Sequence, residues 1–199
     1  MIDELRAYHE AGHAVTAVLK GFTVTRVSIR RRGPEGGACD VHVHLRVRAQ
    51  GGLTPKVSGE AIRFARAAAA VALGGSIAQD AAALERGYVT LDARIGRPFP
   101  LFSAGSDGDE RAALAIARRL YRHAPEQREF LRRMRSTTER LLTSEGRWRA
   151  VRALATALLR ARALDGKRAE RIIGAALRPS GGPTEGTGGN TRHPRRSPR

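Results

Sequence analysis

The chain has one cysteine, few aromatic residues and no long apolar run. Cys39 alone cannot form an intrachain disulfide, and a zinc site built from cysteines is excluded. Aromatic residues make up 5% of the chain, which leaves little material for stacking on nucleic-acid bases. The longest apolar run, residues 67–75, is too short to cross a bilayer, and no secretory signal opens the chain. We therefore expect a protein without a membrane span, located in the cytoplasm.

Basic residues dominate the charge. Lysine and arginine number 36 against 19 aspartates and glutamates, a formal net charge of +17, and only three of the basic residues are lysines. Such a surface attracts nucleic acid, anionic lipid or acidic protein. Because the basic residues are spread along predicted helices with few aromatics between them, we interpret them as an arginine-rich composition. Nucleic acid is not expected as the main partner, and nucleic-acid binding stays an alternative function.

Apolar spacing predicts a mainly α (α+β) fold with one small antiparallel β-hairpin. A stripe at 3–4 spacing predicts a helix from Asp3 to Leu19, closed by Gly21. Alternating β-branched segments over 23–30 and 40–48 predict the hairpin. The remaining expectations are helices over 58–73 and 76–85 with a break at Gly74-Gly75, a loop over 87–105, and helices from 107 almost to 178 with breaks near Pro125, Gly146 and Gly166. Residues 1–178 are predicted to form one domain, and the basic tail 179–199 is predicted to be disordered.

One motif carries chemistry. His9, Glu10 and His13 form HExxH inside the first predicted helix. Residues i and i+4 lie about one turn apart, so both imidazoles can reach one ion, while Glu10 lies about 100° around from His9. Zinc suits nitrogen ligands and brings a bound water to a pKa of about 7. The two histidines are therefore predicted zinc ligands, and Glu10 is the predicted catalytic base.

The competing interpretation is a polar flank beside the apolar stripe. A chance HExxH is expected on the order of once in a hundred sequences of this composition, and the helical context makes chance rarer. Gly12 adds support, because glycine costs up to about 1 kcal/mol inside a helix. On the buried stripe, it indicates that another segment approaches closely.

A catalytic zinc needs a third protein ligand. Spacing alone does not choose among the candidates, which are His42, His44, His123, Asp107, Asp109 and Glu110. His42 and His44 share one strand face, which a solvent-facing pair explains equally well. The acidic cluster opens a predicted helix, where capping and the helix dipole already favour acids.

The sequence resembles the peptidase domain of the FtsH-type ATP-dependent zinc proteases. Residues 8–15, Tyr-His-Glu-Ala-Gly-His-Ala-Val, resemble that family's active-site helix. Weaker similarities follow at Arg26-Val-Ser-Ile, Leu73-Gly-Gly, 105–118 and the closing helices near 154–166. The resemblance covers most of residues 1–175, and only the first motif is highly specific. It implies a helical, zincin-like metallopeptidase fold.

The resemblance also implies further site residues. In register with the family's third zinc ligand stands Asp109, with Asp107 as the fallback. The family's substrate is thought to lie along an edge strand beside the metal, which implicates the hairpin around 24–30 through strand addition. Gln79 stands where the family has a glutamate, which puts an outer carboxylate in doubt.

Two parts of the family's proteins are missing from this sequence. No GxxxxGK[ST] motif occurs, so no ATPase module of that type is expected, and no membrane anchor is expected either. We expect a zinc metalloendopeptidase acting on flexible protein or peptide substrates, or on substrates presented by a separate ATPase. The resemblance also suggests a ring of copies. The alternative from a different class is a catalytically degenerate zinc-binding interaction module.

Overall fold

The computed structural model describes residues 2–30, 38–42, 59–92, 97–100 and 106–179, with side chains described over 2–30, 59–88 and 108–179. The helices are α1 Ile2–Leu19, α2 Gly59–Glu85, α3 Ser106–Leu120, α4 Ala124–Thr143, α5 Glu145–Ala161 and α6 Gly166–Leu177. The strands are β1 Thr23–Ser28, β2 Ala38–His42, β3 Val89–Asp92, β4 Arg97–Pro100 and β5 Ala163–Asp165. This mainly helical chain with small antiparallel sheets confirms the predicted fold class at that level.

Helix α1 lies at the centre of the domain. Its residues are buried almost without interruption from Ala7 to Ala17, because α2, α5 and the first sheet all pack on it. Tyr8 stacks on Trp148 of α5 with ring centroids 5.8 Å apart. Gly21 ends the helix with a left-handed backbone, φ +78°, as the sequence predicted. The HExxH motif therefore lies in the most enclosed helix of the described chain.

Helix α2 runs unbroken through Gly74-Gly75, so the predicted break there is wrong. The glycines are used for helix packing instead. A Cβ at Gly74 would lie 2.5 Å from Thr16 Oγ1 of α1, and one at Gly12 would overlap the Gly74 carbonyl. Because glycine has no side chain, the backbones of α1 and α2 can touch at these positions. This packing offsets the intrinsic cost of glycine in a helix.

The first sheet has the order β2-β1-β5, with both pairings antiparallel. Val27 pairs with Cys39 on one side and with Leu164 on the other. Strand β1 therefore has no free edge along 26–28. The sequence predicted that the strand around 24–30 has an accessible edge. The structure corrects this for residues 26–28, and among the described strands the free edge of the hairpin belongs to β2.

The sequence missed three strands. Residues 89–92 and 97–100 pair as an antiparallel hairpin, where a loop was expected. Pro98 and Pro100 obscured it, since proline is rare in strands. Being two residues apart, both can occupy positions that need no ladder N–H. Strand β5 interrupts the predicted final helices just before Gly166.

Two expectations are not decided by the fold. By length and composition α2 could cross a membrane, but 61% of its apolar window is buried inside the protein, as in the core helix of a globular domain. The absence of a membrane span stays a prediction. Residues 43–48 of the predicted second strand and the tail beyond Pro179 lie outside the described residues.

Candidate metal centre

Three side chains from two helices converge beside the α1–α2 crossing. His9 Nε2 and His13 Nε2 of α1 lie 3.1 Å apart. Asp109 Oδ2 of α3 lies 3.1 Å from the first nitrogen and 3.2 Å from the second. The three atoms form a nearly equilateral triangle, and their side chains are only 10, 12 and 19% exposed. The carboxylate stands at the N-terminal end of α3, whose following residues pack against α2.

In each imidazole, the nitrogen that faces away from the triangle, Nδ1, contacts a carbonyl oxygen of α2. His13 Nδ1 lies 2.7 Å from the Val71 carbonyl oxygen, and His9 Nδ1 lies 3.1 Å from Gln79 Oε1. Because a carbonyl oxygen can only accept, Nδ1 of His13 carries the proton, and in the neutral ring Nε2 then presents a lone pair. Both rings thus have the outer-contact arrangement typical of metal-ligating histidines.

The pKa shifts of Asp109 and His13 indicate that a positive charge between the three side chains is favourable. Burial alone would raise the pKa of Asp109, but the two imidazoles outweigh it and hold that pKa at about 2. Burial would lower the pKa of His13, but Asp109 and then Glu10 outweigh it and raise the value. Two nitrogen lone pairs and a carboxylate oxygen at about 3 Å repel one another unless a proton or a cation lies among them.

The residues present fit zinc. A tetrahedral ion about 2.0–2.1 Å from each ligand separates them by roughly 3.3 Å, close to the 3.1–3.2 Å found. Asp109 Oδ2 is buried, and no described residue donates a hydrogen bond to it with acceptable geometry. A coordinated cation would satisfy this oxygen. Two imidazoles and one carboxylate also form a ligand set that catalytic zinc uses.

Glu10, which follows His9 in α1, is also buried. Its residue is 5% exposed. Burial raises the pKa of Glu10 above its ordinary value, while the nearby His13 and His9 partly offset this. A raised carboxyl pKa brings the group closer to neutral pH, which favours reversible proton transfer. Glu10 therefore senses the charges of the triangle without belonging to the group that could hold a metal.

The two other candidates whose side chains are described, His123 and Glu110, do not join the cluster. Among the described side chains, only His9, His13 and Asp109 form a group able to hold a metal. His123 lies exposed at the start of α4, and Glu110 contacts Arg135 instead. The side chains of His42 and Asp107 are outside the described set, as is the whole of His44. The predicted roles of the three clustered residues as ligands remain a prediction.

Sequence reasoning missed two contributions to the site. The Val71 carbonyl belongs to the backbone, so residue type gives no signal for it. Gly75 lies against His13: a Cβ there would be only 2.6 Å from the ring's Cε1. Gln79 was noted in the sequence for another reason, and its side-chain carbonyl oxygen contacts Nδ1 of His9.

Comparison with known proteins adds no assignment. No protein-family model matches this chain, and no curated protein matches it. The class of the site is therefore defined by its own geometry, a buried His–His–carboxylate triangle with a glutamate beside it.

Proposed function

We propose that this protein is a zinc-dependent metallopeptidase with a zincin-like catalytic helix. The observation that carries the proposal is the triangle of His9 Nε2, His13 Nε2 and Asp109 Oδ2, with sides of 3.1–3.2 Å. Three protein ligands and a fourth open position are typical of catalytic zinc, whereas structural zinc is usually enclosed by four protein ligands.

The residues have separate roles in this proposal. His9, His13 and Asp109 hold the ion, which supplies Lewis-acid chemistry when bound by activating water and polarising a carbonyl group. Glu10 accepts a proton from the attacking water and passes it to the amine nitrogen that leaves when the peptide bond breaks. Gln79 and the Val71 carbonyl keep both imidazoles in the tautomer that presents Nε2.

The substrate and partners follow from the same proposal. Peptide hydrolysis at a buried site needs an extended, flexible chain, because a folded segment cannot bring its backbone to the triangle. A substrate strand would add to the free edge of β2 rather than to β1, whose residues 26–28 are paired on both edges. A separate ATPase or a ring of copies would present stable substrates.

The test is cleavage of an unfolded protein such as casein by zinc-loaded wild type and Glu10→Gln. The substitution keeps the size of the side chain and removes the proton acceptor. We expect the variant to retain zinc and to lose about 10²–10⁴-fold in cleavage rate. Equal rates in the two proteins, with equal zinc content, would refute the assigned role of Glu10.

One observation favours a second candidate, a zinc-binding interaction module without catalysis. Gln79 is neutral, so the outer contact of His9 lacks the carboxylate that raises the basicity of a zinc-bound histidine. Zinc binding without cleavage of any unfolded substrate, in the wild type itself, would select this candidate.

A further inference from the structure

A second site lies away from the triangle, in a cleft of about 600 Å³ between the first half of α2 and the first half of α4. Its floor is apolar and well packed: Phe130 and Met134 are 5 and 9% exposed. Tyr121 contributes a ring at one end, tilted against Phe130 with centroids 5.6 Å apart. Clefts of this volume commonly hold small molecules.

Four cations line the same cleft, and one of them, Arg133, is ion-paired. The other three come from α2 and from the end of α1. Arg63 and Arg66 are one turn apart on one face of α2, and Lys20 follows the end of α1. Among the described residues, the side chains of these three have no ion pair and no hydrogen bond. Elsewhere in the described chain arginines commonly contact carboxylates, as Arg135 contacts Asp80 at 2.9 Å.

The two acidic residues of the cleft form no ion pair with these three cations and are outnumbered by the basic residues that line it. Glu129 is engaged by Arg132 at 2.8 Å and by Arg133. Glu126 accepts from the His123 backbone N–H at 3.4 Å, as part of the α4 capping box. The local charge is therefore positive above an apolar floor.

We propose that this cleft binds a phosphate monoester whose organic group is apolar or aromatic. A phosphate monoester carries about −1.5 to −2 charges at pH 7 and three acceptor oxygens. Two guanidinium groups and an ammonium group can satisfy those oxygens with charge-assisted hydrogen bonds. The organic group would lie on Phe130 and Met134, beside the ring of Tyr121. The proposal does not depend on the metal centre.

Calorimetric titration of the zinc-loaded full chain with phenyl phosphate tests it. We expect one site per chain and binding at least about tenfold tighter than that of inorganic phosphate, because the ring buries apolar area. Arg63→Ala and Arg66→Ala should each weaken binding by about fivefold or more. Arg171→Ala removes the same charge from the exposed face of α6 and should change affinity less than twofold.

Three results would overturn the proposal. One is the absence of saturable binding of phenyl phosphate. Another is an equal loss in Arg171→Ala, which would mean that net charge alone attracts the ligand. The third is unchanged affinity in the double variant Arg63→Ala/Arg66→Ala, which would place the phosphate elsewhere, for example on the zinc.

A second arm identifies the source of the phosphate. Vesicles of phosphatidylcholine with phosphatidic acid present the same monoester on a membrane. Retention of the wild type on them, lost in the double variant and absent on pure phosphatidylcholine, would assign a lipid headgroup. Binding of phenyl phosphate without such retention would assign a soluble ester. Both outcomes support the phosphate chemistry of the cleft.

Discussion

At the scale of single residues, the orientation of two imidazoles decides what the site can do. His13 is fixed by a backbone carbonyl at 2.7 Å and His9 by the side chain of Gln79 at 3.1 Å. The first contact survives any side-chain substitution, and the second can be removed. Gln79 therefore offers a way to weaken the site without touching a ligand.

Replacing Gln79 by leucine should lower zinc affinity by about 10–100-fold, because His9 Nδ1 loses its acceptor and the ring its fixed orientation. Gln79→Glu keeps an acceptor and adds a charge, so its affinity should equal or exceed that of the wild type. Competition with a chromophoric chelator measures both. Wild-type affinity in Gln79→Leu would show that the outer contact is irrelevant.

The sequence pattern predicted two of the three clustered side chains by spacing alone, but not the third. HExxH brings its own geometry, because helical spacing alone places His9 and His13 on one face. The third ligand could not be predicted in that way, since Asp109 is one hundred residues from His9 and spacing left six candidates open. The family resemblance singled out Asp109, which the structure places within 3.2 Å of both imidazoles.

At the scale of the elements, the crossing of α1 and α2 builds the centre. Gly12 and Gly74 let the two backbones touch, and Gly75 leaves room for the His13 ring. The sequence suggested a close approach at Gly12 but predicted that the glycine pair would end α2. Local propensity favours a break there, and tertiary packing outweighs it.

Gly75→Ala should therefore damage the centre. The new Cβ would overlap the His13 ring, which must then move away from the triangle. We expect zinc affinity to fall at least tenfold and the free energy of unfolding to fall by about 1–3 kcal/mol. Chelator competition and urea denaturation would measure the two effects.

Gly174→Ala is the matched control. This glycine lies in α6, where an added Cβ meets nothing within 4 Å. Unchanged zinc affinity and a gain of up to about 1 kcal/mol in stability are expected. If the two variants bound zinc equally well, the packing account of Gly75 would be wrong.

The contrast between local sequence propensity and tertiary packing also explains why three strands were not predicted. Strand β5 has only three residues, and its partner β1 is 135 or more positions away in the chain, so no local pattern announces it. The hairpin β3–β4 contains two prolines and was expected to be a loop. Long amphipathic helices such as α4 were predictable because their apolar spacing repeats over several turns.

At the scale of the whole molecule, metal binding should be coupled to stability. The ligands come from α1 and α3, and α2 holds the Nδ1 contacts of the two histidines, so the ion would link three helices of the core. At a free zinc concentration about a thousandfold above the dissociation constant, stabilisation is about 4 kcal/mol. For a chain of this size, that corresponds to a Tm rise of roughly 10 °C.

Differential scanning calorimetry with zinc, with magnesium and with a chelator checks this coupling. Zinc should raise Tm, and the chelator should reverse the rise. Magnesium prefers oxygen ligands in octahedral geometry and should have no effect. Identical Tm values under the three conditions would show that metal binding does not stabilise the fold.

The most direct measurement of the central claim is the zinc content per chain of the wild type, Asp109→Ala and Asp107→Ala, after stripping and reloading. The two aspartates lie two positions apart in α3, about 200° around the helix from each other, so they form a matched pair. We predict one zinc per chain in the wild type and in Asp107→Ala, and loss of most of it in Asp109→Ala. Full zinc in Asp109→Ala, or none in the wild type, would contradict the assignment of His9, His13 and Asp109 as a zinc site.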